Sequence, residues 1–561
     1  MKIIKKVIAI ISSFGMILTL NSIKSYAQDD NLTVYTTGDA IWQPAEDTDI
    51  PYFDDFGQYE TFSVQSTLPS SIDNSTSEYF PPIGNQGEMS SCAGWATTYY
   101  QYTYEVNKLR NVATDNSNIY SPAWTYNYIN GGSNSATYLD DAYDILKNQG
   151  AMKLADFPHP TKESEYSFNW STNVQKMTSA LHYRVSPYYV SCSTSSNVSN
   201  IKQQLANGKV GVVWTNSSGW TKKKTTNNEN IIVRGSSSGS GGHFMTVVGY
   251  DDNITVNING ETMKGAFKLA NSWGTDRDNN GFIWVAYDAL NSSTGLKNNW
   301  DSNLSNRTPI FGTNNNCYFV NANFYTVYFT GKINYISSDP WHNNIYGNVG
   351  TSATTLKFSP ARNLSNISNI NKLPNANYRV IVFDYFNTPN PDISNYLSSK
   401  FTMKCANSNN DSSTYRIYIS LTDSACKLIR PYDDLCGGIS SNNSYSYSRT
   451  LDVKLKKGRI SSYDDEDITS SDVSMLSSYI LGQTNLSSLQ FYLADMDNDG
   501  IVNVFDLVLL KQAVLEQNNE TMSLSEYVPE LGCSMQEFIE DELGEDIMEY
   551  SEEFELAGID Y

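Results

Sequence analysis

The chain opens on basic residues, MKIIKK, followed by the apolar run VIAIISSFGMILTL and small residues around Ser25-Tyr26-Ala27. This order predicts a secretory signal over residues 1–27, with cleavage before Gln28. A single membrane anchor is the weaker alternative, because a spanning helix needs about 20 apolar residues in succession. No later stretch is long and apolar enough to cross a bilayer, so the mature chain is expected to be soluble, outside the cell and without a membrane span. Residues 28–66 are polar and acidic and show no period. From 67 to 300 the signals are mixed. Helical spacing appears after Cys92 and in TYLDDAYDILKNQG, and strand-like runs follow in VGVVWT, HFMTVVGY, AFKLANSW and FIWVAYD. Helices in the first half and strands in the second predict an α+β domain of two lobes.

The pattern changes again from 301 to 455. Short alternating runs (FYTVYFTGKINYI, YRVIVFDYF, TYRIYISL and TLDVKLK) are separated by turn residues, which predicts an all-β module. Residues 456–520 hold a duplicated loop–helix unit. The tail, 521–561, has thirteen acidic residues and no Lys or Arg, and its apolar residues Met535, Phe538, Ile539, Leu543 and Ile547 fall near helical spacing. A solvated helix packed on its neighbour is favoured there over a binding tail.

Composition narrows the function classes. The chain has 38 basic against 60 acidic side chains, a net charge of -22, which repels phosphate backbones and excludes nucleic acid as the expected partner. Seven cysteines (Cys92, Cys192, Cys317, Cys405, Cys426, Cys436 and Cys533) are too few for a disulfide framework in 561 residues. Their odd number leaves at least one thiol unpaired, and Cys92 is the candidate; one bridge among Cys405, Cys426 and Cys436 stays open.

Cys92 follows Gly and Ser punctuation in NQGEMSSCAGWATTYYQYTYEV and opens a predicted helix. A helix N-terminus favours the thiolate, which is the attacking species in nucleophilic catalysis. Taken alone, a buried structural cysteine explains it better. The four histidines shift the balance, since His243 lies in the Gly-rich strand entry SGSGGHFMTVVGYDD, while His159, His182 and His342 read as ordinary. Asn271, in FKLANSWGTDRDNNGFIWVAYD, is placed to accept the ring N–H and set the tautomer, with Trp273 covering that bond.

These segments resemble the papain-like (C1) family of cysteine peptidases. LPSSIDNSTSEYFPPIGNQGEMSSCAGWA is similar to the family's mature N-terminus, and NSWG followed by NGFIWV to its most recognisable segment. The resemblance implies a helical lobe and a β-barrel lobe, with Cys92 as nucleophile and His243 as base. Asn271 would orient the ring, and Gln86 and the Cys92 N–H would be oxyanion donors. Gly131 and Gly132 would pair with an extended protein or peptide substrate, and no cofactor is implied for catalysis. Three departures stand out. Met89 and Ile129 take the places of the family's half-cystines, which reads as an apolar contact in place of a bridge. Ala93 replaces an aromatic residue, with Trp95 two positions on, which alters the expected wall of the cleft. The segment before Leu68 is short for an inhibitory propeptide, so absence of a zymogen is favoured over a short segment covering the cleft.

In DMDNDGIVNVFDLVLLKQAV, oxygen donors stand at loop positions one, three, five, nine and twelve: Asp495, Asp497, Asp499, Asn503 and Asp506. Gly500 takes the sharp turn and the Ile501 carbonyl position seven, a pattern that suits calcium in a structural role. Thirty-four residues earlier, Ser461, Tyr463 and Glu466 occupy places that want Asp, Asp or Asn, and Gly. Asp465, Thr469 and Asp472 leave weak binding or a metal-free loop open. The pair of units resembles a type I dockerin, a small helical EF-hand-like module. This implies a cohesin domain of a scaffoldin as partner and a cellulosome-associated, secreted location. Ser470, Ser471, Ser477 and Ser478 would face the partner from the first repeat, and Val504, Phe505, Lys511 and Gln512 from the second; the unlike faces speak against symmetric docking. The leading expectation is therefore a tethered cysteine endopeptidase. A catalytically idle papain-like protein acting in adhesion is the alternative, as is carbohydrate binding through Trp341 and Tyr346.

Overall fold

A computed structural model of the chain describes residues 40–41, 67–192, 195–236, 241–258, 260–290, 307–308, 310–311, 316–337, 343–349, 378–386, 388–407, 415–433, 445–463 and 467–517. The expectations for the signal, most of 28–66, the acidic tail, His342, Trp341 and the Tyr346 side chain fall outside them.

The helical lobe is built on a run over 92–110, α1, whose middle third, Trp95–Tyr102, is wound as a π-helix. Such widened turns recur at functional sites because they re-aim side chains. Around α1 pack α2 (Pro122–Ile129), with Pro in its first turn, and α3 (Leu139–Asn148), the helix expected in 137–150. Two further helices, α4 (Val174–Ala180) and α5 (Ser195–Ala206), follow. Gln101 is buried in α1 yet fully used: its amide N–H groups reach the carbonyls of Val210 and Tyr318 at 2.8 and 2.9 Å, and Tyr143 donates to its oxygen at 2.7 Å. It bolts the helix to the sheet.

β1 (Ala40–Ile41) pairs in parallel with β3 (Thr137–Tyr138), apart from the main sheet. The second lobe is one sheet of ten strands, formed by β2 (Ser71–Asp73), β4 (Tyr183–Ser191), β5 (Gly211–Asn216), β6 (Thr221–Lys224), β7 (Asn230–Ser236), β8 (Gly242–Ile258), β9 (Glu261–Ala270), β10 (Phe282–Ala286), β11 (Arg307–Thr308) and β12 (Asn316–Phe324). Its central order is β11-β7-β10-β9-β8-β5-β12-β4, with β2 added to β8 and β6 to β7. The two-lobe α+β reading is therefore correct. The boundary expected at 300 is not where this sheet ends. β12 pairs along its whole length with β4, from Asn316 opposite Ser191 to Phe324 opposite Tyr183. The run FYTVYFTGKINYI, which looks continuous, is split between two sheets, since alternation alone cannot say which neighbour a strand joins.

The β-module has two antiparallel sheets. One has the order β15-β13-β17-β18 and the other β14-β16-β19, from β13 (Thr330–Ser337), β14 (Asn343–Val349), β15 (Tyr378–Asp384), β16 (Ser398–Asn407), β17 (Tyr415–Thr422), β18 (Leu428–Asp433) and β19 (Tyr445–Lys454). Phe329, Val382, Leu421 and Ile429 pack with Phe401, Leu451 and Val453 of the second sheet. The C-terminal helices are α6 (Ser470–Ile480), α7 (Ser488–Ala494) and α8 (Val504–Gln517); α7, held by reciprocal Ser487–Gln490 capping, was not legible as a separate helix. Leu476, Leu493 and Leu510 continue the apolar core of the helical lobe and the β-module without a break.

Candidate active site

Cys92 is the first residue of α1 and is fully buried; its first turn packs against β8. The β8–β9 ladder pairs Thr246 with Ala270, so the antiparallel register carries His243 and the residues just after β9 to the same end of the sheet. There His243 Nε2 lies 2.8 Å from Asn271 Oδ1. That oxygen also receives the Ser272 backbone N–H at 2.8 Å, which fixes which end of the amide is the acceptor. Nε2 must therefore carry the proton, and the lone pair of the neutral ring sits on Nδ1, which is buried with no hydrogen-bond partner. Burial pushes the imidazole down to about 4, against an upward pull from the Asn271 hydrogen bond. Trp273 stacks on the ring with centroids 4.5 Å apart, as expected of a cover over that bond.

Gln86 is buried on the strip 84–86, which the NSWG segment holds. Gln86 N–H donates to the Ser272 carbonyl at 2.8 Å, and Gly274 N–H to the Gly84 carbonyl at 3.0 Å. The Ser272 hydroxyl donates to Gln86 Oε1 at 2.6 Å, and the Gln86 amide N–H donates to the Met89 carbonyl at 2.9 Å. Gly131 and Gly132 follow the end of α2 with φ of 65° and 79°, a left-handed pair that side chains rarely adopt. Asn134 ties their loop to the segment before Cys92, accepting from Ser90 N–H at 2.7 Å and donating to the Glu88 carbonyl at 2.9 Å.

One reading of the departures is corrected. Met89 does not share a cluster with Ile129. It packs with Ala123, Tyr126 and Tyr166, while Ile129 lies against the main core, because two unlinked apolar chains follow the nearest cavities rather than a bridge's geometry. Trp95 is buried against Tyr99, and its ring fills the place a Gly84 side chain would take, so it supports the Gln86 strip from below. Of the short N-terminal segment, β1 pairs with β3 just beyond the Gly131–Gly132 loop and also packs against β8. These two residues, Ala40 and Ile41, are the part of that segment among the described residues. Cys426 forms no disulfide; its sulfur lies 3.5 Å from the Thr178 hydroxyl.

In the C-terminal loop, one carboxylate oxygen each from Asp495, Asp497 and Asp499 lies within 4.8 Å of the others. Asp495 Oδ1 is buried with no partner, an orphaned anionic oxygen that a hard cation would satisfy. Gly500 turns the chain at φ 84°, and Asp506 holds the loop by accepting from Met496 and Asn503 N–H at 2.7 and 2.8 Å. The residues present fit calcium. Asp465 and Glu466 of the first loop lie outside the described residues.

A model of the papain family of cysteine proteases matches residues 68–302, and a model of the dockerin type I domain matches residues 463–515. The chain carries a papain-family domain and a type I dockerin. Solved structures similar to it include xylellain, a cysteine protease from Xylella fastidiosa, at 18% identity over 51% of this chain and 98% of that one, with a TM-score of 0.34. Procathepsin B S9 from Trypanosoma congolense is 16% identical over 50% and 84%, with a TM-score of 0.35. The bromelain protease from Ananas comosus, in complex with the E64 inhibitor, is 16% identical over 45% and 99%, with a TM-score of 0.31. No curated protein matches the chain.

Three residues of the papain-family domain that support the site carry no signal in the sequence. The Tyr100 hydroxyl donates to the Asn271 carbonyl at 2.7 Å and accepts from Gly84 N–H at 3.0 Å, linking Asn271 to the Gln86 strip. Trp220, from the loop after β5, stands 5.6 Å from Trp273 and 6.4 Å from His243. His159, read as ordinary, lies beside the residue before Cys92, with Nε2 2.8 Å from the Ser91 hydroxyl, and burial pushes its imidazole down to about 3. In the dockerin, Phe505 is 70% and Leu509 37% exposed on one face of α8, one turn apart. Among the described residues no helix is long and apolar enough to cross a membrane.

Proposed function

We propose that the chain is a secreted cysteine endopeptidase acting through Cys92, His243, Asn271 and Gln86, and that it works tethered to a scaffold through its dockerin. The observation that carries the catalytic reading is the His243–Asn271 bond. It leaves Nδ1 as the lone-pair nitrogen of a neutral ring, on a strand packed against the first turn of the Cys92 helix. A neutral imidazole takes the thiol proton, and the helix N-terminus stabilises the thiolate that forms. The thiolate attacks the peptide carbonyl carbon, and the oxyanion is met by the Cys92 N–H and the Gln86 amide. The imidazolium then gives its proton to the leaving amine, and water, deprotonated by the same ring, releases the acyl group and restores the thiol. Gly131 and Gly132 offer backbone groups to an extended substrate. Trp273 keeps water from the His243–Asn271 bond.

The test is Cys92→Ala, which is expected to abolish cleavage of an unfolded protein while leaving the circular dichroism spectrum intact. Undiminished hydrolysis would remove the assignment.

For the dockerin, calcium held by Asp495, Asp497, Asp499, the Ile501 carbonyl, Asn503 and Asp506 would supply the charge that draws the loop closed. The exposed Phe505 and Leu509 give α8 an apolar face for a cohesin, and Lys511 and Gln512 lie on the same helix. Cohesin pull-down with and without a chelator tests this, and capture indifferent to calcium removal counts against it.

A further inference from the structure

We propose that the first loop of the dockerin holds no calcium and serves instead as the joint that fixes the dockerin to the β-module. The proposal rests on the calcium reading above for the second loop only.

The two repeats set Ser461 against Asp495 and Tyr463 against Asp497. A hydroxyl and a phenol thus stand where the second loop has carboxylates, and calcium selects for charged oxygen donors. The Tyr463 side chain does not turn into its own loop. It is buried, and its hydroxyl donates to Asp423 Oδ2 at 2.7 Å, in the turn between β17 and β18 of the β-module. The Ser487 hydroxyl, at the start of α7, donates to the same oxygen at 2.7 Å. Asp423 is itself fully buried, and its other oxygen accepts the N–H groups of Ala425 and Lys427 at 3.0 and 2.7 Å. A buried carboxylate therefore has four donors, two from its own turn and two from the dockerin. Such a charge is tolerated in the interior only while its partners stay in place.

Lys427, on the same turn, donates to the Ile460 carbonyl at 3.0 Å and to the carbonyl of Ser461, the residue at position one. Its ammonium also lies 5.0 Å from the centroid of the Tyr463 ring. Position twelve is engaged as well. Asp472 Oδ1 accepts from Ile460 and Ser461 N–H at 2.8 and 2.6 Å, and Oδ2 from the Thr469 N–H and hydroxyl at 2.8 and 2.9 Å. The buried Arg459 brings Nε to 3.9 Å from Oδ2, where the second repeat has Leu493. A guanidinium beside this carboxylate supplies the positive charge that a divalent cation would bring.

The second loop separates the two cases. Lys457 caps its position-one carbonyl much as Lys427 caps the first, and Asp506 accepts backbone N–H groups much as Asp472 does, so neither feature distinguishes them. Among the described residues, what differs is the side chains at positions one and three: Asp495 Oδ1 waits buried and unpartnered in the second loop, whereas Tyr463 is spent on Asp423 in the first.

The experiment is calcium titration of the full chain by calorimetry after chelator stripping. One calcium per chain is expected, lost in the double variant Asp495→Asn, Asp499→Asn. Two calciums per chain would overturn the proposal. None would overturn the reading of the second loop instead, and the joint is decided separately. Small-angle scattering of Asp423→Ala is expected to give a larger radius of gyration with calcium stoichiometry unchanged. Because Asp423 also closes its own turn, Tyr463→Phe with Ser487→Ala tests the joint from the dockerin side. An unchanged scattering curve in both would overturn the joint.

Discussion

Arg184 and Asp384 form an ion pair with both side chains fully buried, and the pair crosses from β4 of the papain-family sheet to β15 of the β-module. The Arg184 guanidinium also lies 3.5 Å from the centroid of the Tyr325 ring, in the short link between β12 and β13. Removing one member of a buried pair strands the other charge, at a cost of about 3–5 kcal/mol. Asp384→Ala is expected to lose about that much stability and to split urea unfolding, followed by tryptophan fluorescence, into two transitions. Arg184→Met with Asp384→Leu should recover most of the loss, since the desolvation cost goes with the charges. A single unshifted transition in Asp384→Ala would show that the pair does not couple the domains.

The Ser272–Gln86 hydrogen bond holds the amide by its oxygen, and the amide nitrogen donates to the Met89 carbonyl. Gln86→Ala should lower kcat by about 10²–10³ with KM much less changed, the signature of an interaction formed only with the oxyanion. A variant that raised KM alone would place Gln86 in ground-state binding.

Both His243 and His159 have imidazoles pushed down by burial, to about 4 and about 3, from an unfolded value near 6.5. The unfolded chain therefore binds more protons than the folded one between those values. The stability these neutral rings allow is present in full above about pH 6.5, falls as pH drops, and is fully lost only below about 4 for His243 and about 3 for His159. The thermal midpoint should decline over that window, and His159→Gln should flatten the decline. An equal slope in that variant would assign the acid sensitivity elsewhere.

Ala40–Ile41 reaches β3 and β8, and Cys92 and His243 are both fully buried. Removal of residues 28–66 is expected to speed alkylation of Cys92 by iodoacetamide and hydrolysis of short peptide substrates. Equal rates in the two forms would support the reading without a zymogen.

The local signals that the sequence carries were read correctly where the physics is local. The helix opening at Cys92 follows from its Ser and Gly punctuation and the apolar positions behind it. The strand entries at His243 and before Asn271 follow from uninterrupted apolar runs, and the loop at 495–506 from its spacing of oxygen donors. The short helix α7 left no such mark, since seven residues between two loops give little period to detect.

What the sequence determined by itself is which chemical groups occur and in which local element each sits: a thiol at a helix start, a histidine and an asparagine at strand ends, and carboxylates in a loop. Only the tertiary structure decided which groups meet. The β8–β9 register brought His243 to Asn271, and a π-turn aimed Tyr100 at both Asn271 and Gly84. Pairing with β4 drew 316–324 into the papain-family sheet, and a buried Asp423 claimed Tyr463 from its loop. These contacts join residues from 16 to 171 positions apart. Hydropathy and spacing report a residue's near neighbours along the chain, whereas such contacts depend on how whole faces pack and which buried polar groups must find partners.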